Sequence, residues 1–319
     1  MKKGLIGFLG VIVLLGGFST VAFGWERATH AYIADLLKKG GSFKEVQEMY
    51  AATSPDIFNY TFTLPGVLYR DWLYEQTHFE FMKLVEEAKK GPEKDAAVGF
   101  ASHNNVWGAD MTAHTRSLTL DPTEGYIITK AKILNAFLMT DPGYAALLGG
   151  FPDVALEICH DIVEAGGDVI LKNYDPTIGA KLMAIGSKPK PEIRDLLVKA
   201  YAHDLSEFSK TTPAPMSNKD AKEFILDAEN NFRMGIIGYG YLLEGDEATL
   251  IANIVDQFKN LAGVFLTAYG IPVPDDPTLT ALITNALGLG IALCQGDYMT
   301  EVLATADFVR DQLKAHKIK

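Results

Sequence analysis

Two histidines and an aspartate stand close together in Ser102-His103-Asn104-Asn105-Val106-Trp107-Gly108-Ala109-Asp110-Met111-Thr112-Ala113-His114. If this segment is one helix, at about 100° per residue, His103, Asp110 and His114 fall within roughly 40° of one another. Such a stripe offers imidazole nitrogens and a carboxylate oxygen, donors that zinc favours, and burying them without a metal or partner is costly. A solvated polar stripe is the alternative, and Phe100, Ala101, Val106 and Trp107 around it argue for burial. A second pair, His160 and Glu164, has the i, i+4 spacing by which a helix offers two ligands to one ion. Taken alone, that pair reads more readily as an ordinary helical hydrogen bond. Asp56, in Ser54-Pro55-Asp56-Ile57-Phe58, reads locally as a cap or turn aspartate. His78, among aromatic residues, reads locally as a mid-helix core histidine, and His30 too has potential ligands near it. His203 reads as a surface residue, and His316 belongs to a basic tail.

The elements that must carry these residues are helical. No run of alternating β-branched residues bounded by Asn-Gly or Asp-Gly turns occurs. Helical patterning recurs at about 27–39, 43–52, 66–90, 93–116, 123–140, 152–172, 190–210, 218–243, 246–269, 277–295 and 298–316. Gly91-Pro92, Asp121-Pro122, Asp141-Pro142 and Thr212-Pro213-Ala214-Pro215 punctuate it. The expected fold class is therefore all-α. One domain spans 25–319, with 211–319 a candidate C-terminal helical extension. Thr278 to Cys294 carries no charge, but its length, its Thr, Asn and Gly residues and the acidic loop before it favour a buried core helix over a membrane span.

The N-terminus adds a condition. Lys2 and Lys3 precede an apolar run from Leu5 to Leu15, and Ala22-Phe23-Gly24 puts small residues where a signal peptidase reads. Residues 1–24 are thus expected to be a cleaved signal peptide, with an uncleaved anchor as the alternative. Cleavage would send the protein to the periplasm or outside the cell and leave Trp25 with a free α-amine. The 319 residues are 48% hydrophobic and 22% charged, with a formal net charge of −11. An acidic chain has no general attraction for nucleic acid or anionic lipid, so phosphate recognition must be local. Cys159 and Cys294 are the only cysteines, and whether they pair is open at this level.

The order Trp25, His30, Asp56, His78, then His103–Asp110–His114, then His160-x-x-x-Glu164, resembles the zinc-dependent phospholipase C family. The zinc-dependent single-strand nucleases of the S1/P1 type share a similar helical fold and ligand order. The resemblance runs from Trp25 to Glu164 and implies a multi-helix phospholipase C/P1 nuclease-like domain. It also implies two or three zinc ions. Trp25, through its amine and carbonyl, and His30 would hold one ion, with Asp110 bridging to a second completed by Asp56, His78 and His103. His114, His160 and Glu164 would hold the third. One departure is plain. The family places its bridging Asp four residues after the first His of the helix, where this chain has Trp107, and Asp110 comes nearly a turn later.

The expected activity is hydrolysis of a phosphodiester. Zinc lowers the pKa of a bound water towards about 7, and the resulting hydroxide attacks phosphorus while the ions offset charge on the leaving oxygen. Asp56 would orient or deprotonate that water. A phospholipid or another small phosphodiester is the expected substrate, with peripheral membrane contact through aromatic residues such as Phe58, Tyr60, Phe62 and Tyr69, which could equally be core. Nucleic acid is less favoured by the charge. An S1/P1-like nuclease and an exported zinc-binding protein without turnover are the alternatives.

Overall fold

A computed structural model of the chain describes residues 25–37, 42–59, 61, 64–187 and 191–318. The expected signal peptide, and Tyr60 and Phe62, lie outside the described residues. Within them there are fifteen α-helices and no strand, as the absence of strand patterning predicts.

The helices that matter for the site come first. Helix α1 is Arg27–Leu36 and α2 is Ser42–Thr53, followed directly by a 3-10 turn, Ser54–Phe58. Helices α3 (Arg70–His78), α4 (Met82–Glu87), α5 (Gly91–His103) and α6 (Ala109–His114) follow. Then come α7 (Tyr126–Leu138), α8 (Pro142–Leu148), the long α9 (Pro152–Tyr174), α10 (Ile178–Ser187) and α11 (Pro191–Ser209). Helices α12 (Asn218–Leu243), α13 (Glu247–Ala268), α14 (Asp276–Cys294) and α15 (Tyr298–Ala315) complete the chain.

The expected helix over 93–116 is two helices, α5 and α6, and the expected helix over 66–90 is a 3-10 turn plus α3 and α4. The first break has a clear cause. Asn104, at φ −28° and ψ 158°, leaves helical geometry, and its side-chain oxygen accepts from the backbone N–H of Val106, Trp107 and Gly108. An asparagine that satisfies three amides ends a helix in the way helix-capping residues do, by replacing the lost backbone acceptors.

Packing around α1 explains how distant segments converge. Its flanking residue Glu26 makes no capping hydrogen bond. The buried Asp168 of α9 replaces the cap, accepting from the backbone N–H of Ala28 and Thr29 at 3.1 Å each, from the Thr29 hydroxyl and from Tyr239. Helices α2 and α5 lie in close contact, because Gly99 of α5 meets the backbone of Glu48 where a Cβ would lie 2.1 Å from its carbonyl oxygen. Helix α15 packs on α1, α5 and α6, joined by Thr112–Thr305 and Thr29–Tyr298 hydroxyl contacts.

Helix α14 is the one described helix long and apolar enough to cross a membrane. It is not the fully buried core helix its composition suggests. Leu279, Ile283, Ala286, Leu287, Gly290 and Cys294 pack inward, chiefly on α9, α13 and α7, while Ala281, Thr284, Asn285, Gly288 and Ala292 face outward. Small and weakly polar residues make that outer face tolerable in water. Cys159 and Cys294 are buried, free thiols rather than a disulfide.

Candidate metal centre

His30 lies one turn into α1, Asp56 in the 3-10 turn, His78 at the end of α3, and His103 at the end of α5. Asp110 and His114 are on α6, and His160 and Glu164 on α9. The structure brings these eight side chains into three groups that could hold a metal ion: His30–His103–Asp110, Asp56–His78–His103, and His114–His160–Glu164. His103 belongs to the first two, where the resemblance put it with the second ion alone. Except for the half-buried His114, all are buried.

Within the first two groups Asp110 is central. Its Oδ1 is 3.1 Å from His30 Nε2, and its Oδ2 is 3.1 Å from His103 Nε2 and 3.6 Å from His78 Nε2. Asp56 Oδ1 lies 3.3 Å from His78 Nε2 and 3.6 Å from His103 Nε2. In the third group His160 Nε2 stands 3.3 Å from His114 Nε2 and 3.2 Å from Glu164 Oε1. Two nitrogen or oxygen donors on one tetrahedral zinc, each about 2.0–2.2 Å from it, sit roughly 3.3–3.5 Å apart. The spacings fit.

Hydrogen-bond bookkeeping separates a metal site from an ordinary polar cluster. His103 Nδ1 is 2.8 Å from the carbonyl of Ala52, at the end of α2. A carbonyl only accepts, so Nδ1 carries the proton and neutral His103 presents a lone pair at Nε2. His78 Nδ1 faces the Tyr74 carbonyl at 3.2 Å and the Thr77 hydroxyl at 2.8 Å, which assigns its Nε2 the same way. Yet the two Nε2 atoms are 3.1 Å apart. Two lone pairs at that distance repel unless a proton on one ring or a metal ion lies between them. Both Asp110 oxygens, His30 Nε2 and Glu164 Oε1 are buried without a well-formed hydrogen bond among the described residues. Buried polar atoms are nearly always satisfied; these face only other ligand-type atoms at 3.1–3.2 Å, Asp110 and His30 in one group and Glu164 in another, and a cation in each group would satisfy them.

The ionisation pattern agrees. Burial opposes charge on His103, but the Asp110 and Asp56 carboxylates outweigh it and push its pKa up to about 9. Burial works against an ionised Asp110 too, and the His103 and His30 rings prevail, holding it well below the carboxylate range. Glu164 is raised well above that range by burial and by the carboxylates of Glu26, Asp161, Asp110 and Asp56. A carboxylate-rich interior thus takes up protons to balance its charge. Those protons are the ones a divalent ion would displace, since carboxylate and neutral imidazole are the ligating forms. The residues present fit such an ion.

The spacing departure at Asp110 is resolved by the α5–α6 break. Residues 104–108 leave the helix and return, so His103 and Asp110 meet from two helices rather than along one stripe. Gly108 is required there: a Cβ would lie 2.5 Å from the His103 carbonyl and the Asn104 nitrogen. Trp107 is instead a packing residue, edge-on to Phe81 and stacked on His316 at 4.8 Å. Phe58 and Tyr69, candidates for an apolar rim, are buried against Phe224 and form core. His203 is exposed.

Trp25 is 1% exposed. Its indole N–H reaches the Ala109 carbonyl at 3.0 Å and Thr112 Oγ1 at 3.2 Å, and its ring stacks on Tyr126. The side chain therefore anchors the start of the described chain to α6, beside Asp110.

Several contributors carried no sequence signal of their own. Asn105, Tyr74 and Asp168 contact the candidate ligands, or the helix that carries one, from outside the groups. Glu157 and Asp161 form a fourth group with His160; burial pushes Glu157 up to about 7 and Asp161 up to about 8. The Glu157-x-x-His160-Asp161-x-x-Glu164 spacing on one helix held that signal, since i, i+3 and i+4 residues share a face.

No protein-family model matches the chain, and no curated protein and no solved structure shows significant similarity to it.

Proposed function

We propose that the protein is an exported, zinc-dependent phosphodiester hydrolase of the phospholipase C type. The observation that carries the reading is the convergence of five imidazoles and three carboxylates into three groups, two of them sharing His103, whose donor atoms lie within 4.8 Å of one another in each group. Clustered N and O donors of this kind suit zinc, and neighbouring zinc ions suit in-line displacement at phosphorus. When bound, the ions supply Lewis acidity that acidifies water and offsets charge on the phosphoryl and leaving oxygens.

The chain's own groups set the geometry. His103, shared by the first two groups, and Asp110, which touches His30, His103 and His78, tie those groups together. Asp56 is held by Asn59, whose Nδ2 donates to its Oδ1 at 2.8 Å, and Asp56 would orient and deprotonate the attacking water. Asp56, His103 and Asp110 are enclosed, which excludes bulk water and strengthens every electrostatic contact there. The half-buried His114, Glu157 and Asp161 mark the more open side of the centre, where substrate would approach.

An acidic chain supports a lipid headgroup or small diester over a long polyanion. Assays of phosphatidylcholine, single-stranded nucleic acid and a chromogenic phosphodiester, each with and without chelator, test the reading. We expect chelator-sensitive turnover of the lipid or the small diester. Turnover of nucleic acid alone would make the protein an S1/P1-like nuclease. Zinc binding with no turnover of any of the three would leave a non-catalytic zinc protein.

A further inference from the structure

One residue touches both halves of the centre without belonging to any ligand group. Asn105 lies in the turn between α5 and α6. Its backbone N–H donates to the carbonyl of His78 at 3.0 Å. Its side-chain Nδ2 donates to the Tyr74 hydroxyl at 2.7 Å, and Tyr74 stacks on the His78 ring with centroids 3.9 Å apart. Its Oδ1 lies 3.0 Å from His114 Nδ1. A single half-buried asparagine thus holds the end of α3, the ring beside His78 and the distal nitrogen of His114.

We propose that Asn105 is a positioning residue that fixes His114 as its Nδ1–H tautomer and ties the third ligand group to the second. This rests on the metal reading above. The chemistry is directional. An amide oxygen only accepts, so His114 must place its proton on Nδ1 and turn the Nε2 lone pair towards His160 and Glu164. The Tyr74 hydroxyl accepts from Nδ2 in this arrangement; because a hydroxyl can also donate, the amide orientation follows from the metal reading, which needs the lone pair at His114 Nε2 for the third group. Ligating histidines gain ring orientation and basicity from such outer partners, whose loss typically lowers metal affinity about 10–100-fold. The adjacent Asn104 ends α5 and so delivers Asn105 to this place. The Asn-Asn pair divides two tasks, breaking the helix and bracing the ligands.

The test uses Co2+ as probe on protein beginning at Trp25 and stripped by chelator. Visible absorption and elemental analysis read affinity and stoichiometry, circular dichroism reads folding, and long-range 1H–15N spectra read the His114 tautomer. Asn105→Leu removes both polar contacts at similar volume, whereas Asn105→Asp keeps the Oδ1 acceptor. The expected result is that Asn105→Leu loses about 10–100-fold in affinity for one metal equivalent and shows mixed His114 tautomers, while Asn105→Asp keeps both the equivalent and the Nδ1–H form. If Asn105→Leu fails to fold, Asn105→Asp decides alone by the same two readouts. A folded Asn105→Leu that binds like wild type, or an Asn105→Asp that loses the equivalent or scrambles the tautomer, overturns the proposal. A wild-type protein that binds no Co2+ overturns the metal reading and this proposal together.

Discussion

Asp56 and Asp110 look alike in composition but differ in setting. Asp110 is buried between three imidazoles, and removing its charge would leave those rings facing one another. Asp56 is held by a hydrogen bond from Asn59 and touches two imidazoles through one oxygen. Replacing Asp56 with Asn would keep an oxygen for a metal and remove the proposed base. Asp56→Asn should therefore keep most of its zinc, by elemental analysis, and lose about 100-fold or more in turnover, the scale of general-base catalysis. Full activity in this variant would show that Asp56 is not the base. Most individual ligands were legible only as a set. His78 and Asp56 each have an innocuous local reading, and only their order along the chain set them apart. Asn105 and Asp168 carried no signal, because their roles depend on contacts with residues far away in sequence.

The central element is the interrupted helix formed by α5 and α6. Periodicity placed His103, Asp110 and His114 on one side, and they do converge, but through a break that spacing alone could not reveal. The break depends on Asn104 gathering three amides and on the absence of a side chain at Gly108. Gly108→Ala should force the turn open, lowering thermal stability by about 1–3 kcal/mol, the usual cost of overpacking, and weakening metal uptake together with it. An unchanged melting temperature would contradict this view of the turn. At the other end of α5, Glu93 accepts from the backbone N–H of Lys89 and Lys90 and pairs with Lys199. The Lys199 bond first, and then the Lys89 amide, hold the Glu93 pKa down to about 2 from an ordinary 4.5. A depressed carboxylate stabilises the fold above its unfolded pKa, and that contribution is lost as pH falls through the folded value. Glu93→Gln should thus reduce stability near neutral pH by roughly 1 kcal/mol, as for a lost helix cap. The difference from wild type should shrink between pH 4.5 and 2. Equal losses at pH 7 and pH 2 would rule out the ionised carboxylate as the cause.

Across the whole molecule, the all-helical class was readable from patterning, and so were the breaks at Gly91-Pro92, Asp121-Pro122, Asp141-Pro142 and 212–215; the break at 104–108 was not, because it depends on Asn104 gathering local amides. Nor was the part played by the last helix. Helix α15 buttresses α1 and α6, and its buried Glu301 accepts from the backbone of Leu118 and Thr119 just beyond His114. The C-terminal region thereby holds the ligand-bearing half in place. The candidate ligands come from α1, the 3-10 turn, α3, α5, α6 and α9, so a bound ion would cross-link distant segments, the widest group running from His30 to Asp110. An ion present at 1,000 times its dissociation constant adds about 4 kcal/mol to stability, so stripping the metal should lower the melting temperature by on the order of 10 °C. The most direct test of the account is the zinc content of protein beginning at Trp25, measured by elemental mass spectrometry after exhaustive dialysis. The account predicts two or three zinc ions per chain, removed by a strong chelator and restored by added zinc. A folded protein that contains no zinc and takes none up would contradict it.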